Sequence, residues 1–235
     1  MSTVFKREFK SLLSTPMGYV YLLSATLLSG ILFVLFNLVY LYPTLVYVAE
    51  EMKLIYALLV PMIGATVISS EYKKGSYKLL YSLPFKSSDI VLGKFFAVLS
   101  FSLLPTLLIA IYPLMLSLVG KIELLSSYAA IVGLVVFQVY ASAFCVVLSC
   151  VSRKSGICVT VAYAAFCALF LIDLFSALMP SESLIFGFAT TISPFSLGGY
   201  TMYGIFDIVS LLYALIASAV MIIIAVRTVE NRRYM

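Results

Sequence analysis

All but two of the chain's 15 lysines and arginines lie in four short stretches, and long uncharged apolar runs separate those stretches. The stretches are Lys6 to Lys10, Lys73 to Lys94, Arg153 with Lys154, and Arg227 to Arg233; Lys53 and Lys121 stand apart. The uncharged runs cover 11–49, 54–70, 95–120, 124–152, 155–172, 183–206 and 208–226. A helix needs about 20 apolar residues to cross roughly 30 Å of hydrocarbon, so each run is tested as a membrane span. Six pass. The composition agrees, because 11% charged residues against about 25% in a soluble domain leave too little polar surface to wrap a globule of 235 residues.

The expected fold is therefore all-α, a single polytopic domain over 1–235 with spans near 19–41, 47–70, 93–119, 127–151, 155–178 and 205–226. The exception is 183–206, whose second half is interrupted by Pro194, Gly198 and Gly199. Such a stretch breaks backbone hydrogen bonds that lipid cannot replace, and it reads as a broken, partly re-entrant segment over 180–204. Six spans put Lys6, Arg7, Lys10, the cluster from Lys73 to Lys94, Arg153, Lys154, Arg227, Arg232 and Arg233 on one side of the membrane. Lysine and arginine concentrate in cytoplasmic loops, which predicts both termini in the cytosol and the 180–204 segment on the opposite, extracytoplasmic face. The net charge of +5 is a membrane-surface feature on this reading, and no nucleic-acid partner is expected.

Residues 1–15 read as an amphipathic helix lying in the membrane interface. Phe5, Phe9, Leu12 and Leu13 repeat at helical spacing, while Lys6, Arg7 and Lys10 fill the other face with Glu8 between them. A plain positively charged anchor fits the same pattern. Pro16 permits the turn into the first span.

Catalytic equipment is missing. The chain has no histidine, which removes the commonest metal ligand and general base. Cys145, Cys150, Cys158 and Cys167 fall inside predicted spans without CxxC spacing and read as small packing residues. No GxxxxGK[ST] loop is present, so this chain is not expected to hydrolyse ATP itself. The polar residues deep in the spans are Asn37, Gln138 and Asp173. The first two read as hydrogen-bonding links between helices or as pathway contacts, and Asp173 as a water-facing helix end or an ion site.

The cytoplasmic stretch from Ile68 to Lys94 is the most informative. Gly75 breaks the helix leaving span two, Ser76 to Leu83 can form two turns, Pro84 stops them, and Ser88 or Asp89 caps span three. By residue chemistry this is either a short helix held crosswise under the membrane, within a region over 71–92, or a solvated basic loop. Glu71, Gly75, Leu79, Leu80, Pro84 and the run from Ile90 to Lys94 resemble the Glu-x-x-x-Gly-Thr-x-x-x-Leu-Leu-x-x-Pro-x-x-x-x-x-Ile-Val-x-Gly-Lys pattern of ABC-2 type permeases, the membrane subunits of ABC transporters. Residues 6–19 are similar to that family's interfacial helix and lead-in to span one, and Ser193 to Phe195 with Gly204 and Asp207 to the loop before its last span. Ser76 departs from the usual threonine. The small six-span permeases of gliding motility, copper-site maturation and bacteriocin immunity look most alike.

The resemblance implies a division of labour. A separate P-loop ATPase subunit, carrying ATP and Mg, would dock under a coupling helix over Ser76 to Leu83, contacting Gly75, Ser76, Tyr77, Leu79, Leu80 and Pro84. Glu71 would orient that helix, although an ordinary helix-end carboxylate is the plainer reading, and the helix of Phe5, Lys6, Arg7, Glu8, Phe9 and Lys10 would brace the ATPase. A second permease chain and membrane lipids are the further partners implied. Export of an amphiphilic cargo, such as a lipid, peptide or drug, from a bacterial cytoplasmic membrane follows from the family. The alternative is an ion-gradient-driven carrier or channel.

Overall fold

The computed structural model describes residues 2–74, 87–118, 123–152, 154–178, 193–195 and 208–233. Among these, all regular structure is helical: α1 (Ser2–Ser14), α2 (Pro16–Phe33, continued as a π-helix over Val34–Val39), α3 (Val46–Gly64), α4 (Ser69–Lys74), α5 (Ser87–Ile109), α6 (Tyr112–Ser117), α7 (Leu124–Val151), α8 (Ser155–Ala177) and α9 (Ile208–Arg233). Six segments are long and apolar enough to cross a bilayer, namely Pro16–Val39, Val46–Glu71, Ser87–Ser117, Leu124–Val151, Ser155–Phe175 and Leu211–Asn231. The chain is an all-α, multi-pass membrane protein, with the six predicted spans in their predicted order. The proposed coupling segment, with Gly75, Ser76, Tyr77, Leu79, Leu80 and Pro84, lies outside the described residues. So does most of 180–204, apart from Ser193, Pro194 and Phe195, which are buried.

Proline and glycine set the local geometry. Thr15 is extended (φ −88°, ψ 143°) ahead of Pro16, which opens α2 where a missing N–H costs nothing. The corner between α1 and α2 is so tight that a Cβ at Gly18 would collide with the Leu12 carbonyl oxygen. Span two crosses α7 closely at Gly64, where a Cβ would come within 2.8 Å of the Cys145 Cβ. Span three is two helices, since α5 gives way at Ala110 and Ile111 and α6 restarts with Pro113 in its first turn. α5 begins at Ser87, so Ser88 and Asp89 lie inside its first turn instead of capping it; Asp89 there complements the positive end of the helix dipole.

Spans two and four form the centre of the bundle. In each, 67% of the spanning window is buried, against 17% for spans one and five, which leave their apolar surface to the bilayer. α7 packs on α3 along one side and on α9 along another, with α5 and α8 completing its surroundings. The main core joins Tyr21, Met52, Tyr56, Phe101, Leu134, Phe137 and Phe166. A second cluster gathers Ile68, Val91, Phe95, Cys150, Ala225 and Val229. That cluster unites the ends of spans two, four and six with the beginning of span three, and α1 packs on α5 and α2. Both chain ends therefore approach the same end of the bundle, as six alternating spans require.

Candidate functional site

The helix of span two does not run through to Glu71. It stops at Gly64, turns through Ala65 to Ile68, and restarts as α4. A break inside a span frees backbone groups that need partners where water is scarce, and side chains meet several of them. Ser149 Oγ on α7 accepts from the N–H groups of Ile68 (2.9 Å) and Ser69 (3.0 Å). Ser69 Oγ donates to the Ala65 carbonyl (3.0 Å), and Lys94 Nζ donates to the Val67 carbonyl (3.0 Å).

Lys94 is the centre of the site. It lies two turns into α5 and is fully buried, at 0% exposed. Its ammonium reaches Glu71 Oε1 at 3.0 Å and Glu8 Oε1 at 3.3 Å, and Arg7 closes the ring by donating to Glu8 (2.6 Å) and Glu71 (2.9 Å). Two formal cations thus face two formal anions contributed by α1, α4 and α5. Burial alone would lower the Arg7 pKa, but the hydrogen-bonded carboxylates of Glu8 and Glu71 outweigh it and leave the value raised. A buried ammonium is tolerable only when paired and hydrogen-bonded. The arrangement can therefore hold the N-terminal helix, the broken end of span two and the start of span three in one register.

The structure thus brings Glu71 together with Arg7 and Glu8 from the predicted interfacial helix. Phe5 and Phe9 stack at 5.8 Å, and Phe9 meets Phe101 edge-on at 6.2 Å. Lys6 and Lys10 are exposed, and so is Leu13, which the spacing had put on the apolar side. The apolar stripe runs instead through Val4, Phe5, Phe9 and Leu12, with Glu8 on it. Sequence reasoning left Lys94 and Ser149 out of the site. Lys94 entered only as the last residue of the family-like run from Ile90 and as a basic residue of one membrane side, at the edge of the span predicted over 93–119; Ser149 carried no signal.

The three intramembrane polar residues fall in different places. Gln138 is fully buried, and its Nε2 donates to Thr106 Oγ1 (2.9 Å) and the Ser102 carbonyl (3.1 Å) across the α5–α7 contact, while Tyr56 joins through Thr106 at 3.0 Å. Asn37, in the π-helix, donates to the carbonyls of Tyr42 and Thr44 and so ties down the link between α2 and α3; its Oδ1 is buried with no hydrogen-bond partner among the described residues. Asp173, on α8, is half-buried and within electrostatic reach of Lys53 and Glu50. Lys53, at the end away from Lys94, is 1% exposed and donates to Glu50 (2.8 Å) and to the Phe195 carbonyl (3.3 Å). Cys145, Cys150 and Cys158 are buried and Cys167 is exposed, all as free thiols. Neither the models of known protein families nor the curated proteins include a match to this chain.

Proposed function

We propose that this chain is the permease subunit of an ATP-driven ABC-2 type transporter, working with a separate ATPase and a second permease chain. Both termini face the cytosol of a bacterial cell in this reading, and the cargo is an amphiphile such as a lipid, peptide or drug moving outward. The supporting observation is the ion-pair joint of Arg7, Glu8 and Glu71 around the buried Lys94. Glu71 and Lys94 bracket the segment that resembles the family's coupling helix, and the joint fastens both of its flanks to the N-terminal helix. A push on Ser76 to Leu83 from below would then reach spans two and three together, without slack. ATP and Mg belong to the partner.

Co-expression with the genomic neighbours, followed by purification in detergent, tests the pairing: a P-loop ATPase should co-purify, and Tyr77→Cys should cross-link to it. Glu71→Ala should then abolish substrate-stimulated ATP turnover while the chain still inserts in the membrane. One observation favours a carrier driven by an ion gradient instead: Lys53, Glu50 and Asp173 place ionisable groups inside the spans, where such carriers keep their coupling sites. Transport that follows a proton or sodium gradient, with no ATPase in the purified assembly, would replace the first reading with the second.

A further inference from the structure

The first turns of α5 and the last turns of α9 line an open groove of about 490 Å³. Leu92 forms one wall, and Ala219, Ile222, Ile223 and Val226 form the other. The α9 residues fall at i, i+3, i+4 and i+7, one continuous helix face. This face belongs to a membrane span, so what fills the groove in place is lipid or another polypeptide, not water.

One end of the groove is polar. Ser88, Arg227 and Glu230 line it, at the same end of the bundle as α1. Arg227 and Glu230 are exposed, and among the described residues neither makes an ion pair or a side-chain hydrogen bond, although their i, i+3 spacing allows one. A cation and an anion about one helical turn apart, above an apolar slot, match a headgroup that carries both charges in series. An arginine fork suits a phosphodiester, and a carboxylate suits a primary ammonium, which offers N–H donors.

We propose that this groove is a binding site for a zwitterionic phospholipid with a primary-amine headgroup, of the phosphatidylethanolamine type. One acyl chain lies along Leu92, Ile222, Ile223 and Val226, the phosphate meets Arg227 and Ser88, and the ammonium meets Glu230. This is a resident lipid at the bundle's edge, separate from any transported cargo. It does not depend on which energy source drives the protein.

Native mass spectrometry of the purified full chain tests the assignment, with phosphatidylethanolamine, phosphatidylglycerol and phosphatidylcholine of matched chains titrated in detergent. The wild type should hold the ethanolamine lipid roughly tenfold more tightly than the other two, the value of one charge-assisted hydrogen bond. Arg227→Gln should weaken all three lipids, and Glu230→Gln should erase the preference without weakening phosphatidylglycerol. Ala219→Phe should fill the groove and remove retention, with thermal unfolding in detergent unchanged. Equal retention by the wild type, Arg227→Gln and Ala219→Phe would place the lipid elsewhere and overturn the proposal. So would Ile223→Cys in a Cys167→Ser background forming a disulfide-linked dimer in membranes, which would give the groove to a second copy.

Discussion

Two lysines are buried among the described residues, one towards each end of the bundle, and the protein holds them in different ways. Lys94 is enclosed by carboxylates from two other helices and by a carbonyl freed at a helix break. Lys53 is held by Glu50 one turn back on its own helix and by the Phe195 carbonyl, with Asp173 in electrostatic reach. The first geometry crosslinks three helices, so its loss unties tertiary structure. In the second, the nearest carboxylate moves with the lysine, so the ammonium mainly anchors the Ser193–Phe195 segment to span two. The contrast separates a joint from a peg.

The sharpest way to break the comparison is to remove each ammonium while keeping its bulk. Lys94→Met leaves Glu8 and Glu71 with Arg7 alone, and stripping one partner from a buried ion pair costs about 3–5 kcal/mol. That loss is read from denaturant-dependent unfolding in mixed micelles. Adding Glu71→Gln to Lys94→Met should recover part of it, because the stranded carboxylate is then neutral. A cost below about 1 kcal/mol for Lys94→Met would mean that the cluster is no joint, since surface ion pairs already account for that much.

The next effect in size sharpens what the joint is fastened to. Ser149→Ala strands the N–H groups of Ile68 and Ser69 at the break in span two. Leaving buried donors unmet costs about 1–3 kcal/mol, and the same unfolding assay measures it. Ser149→Thr, which keeps the oxygen, should retain most of the stability. If the alanine variant is as stable as the wild type, the break is satisfied by other means and the joint acts on Glu71 alone.

Much of this was legible in the sequence, and the rest has a physical reason for being hidden. The spans were readable because an apolar run of bilayer length has few alternatives once water is excluded as the main solvent. The amphipathic pattern picked out Arg7 and Glu8, and the family resemblance Glu71, as candidate residues, but neither could pair them, because a contact between residues 7 and 71 depends on how α1 folds back over α5. The burial of Lys94 was hidden because a charge at the end of an apolar run looks alike whether it snorkels to water or turns inward to a carboxylate. The break at Ala65 to Ile68 was invisible for a different reason. Its nearest punctuation, Pro61 and Gly64, precedes it, and the hydroxyl that stabilises it comes from Ser149, about eighty positions downstream. Gln138 was the opposite case: a lone amide in mid-span has to find partners, and Thr106 and Ser102 supply them.

The smallest effect belongs to the peg. Lys53→Met leaves Glu50 behind, but that side chain is 28% exposed and can be rehydrated, so the penalty should be about 1 kcal/mol, well under that of Lys94→Met. The change should appear instead in the segment that Lys53 holds. With the donor to the Phe195 carbonyl gone, a cysteine introduced at Ser193, which is fully buried in the wild type, should react faster with a membrane-impermeant maleimide in Lys53→Met than beside native Lys53. Native Cys167 is replaced by serine in both backgrounds. If Lys53→Met destabilises the bundle as much as Lys94→Met and leaves the labelling rate at position 193 unchanged, then Lys53 ties helices together too, and the distinction between the two ends fails.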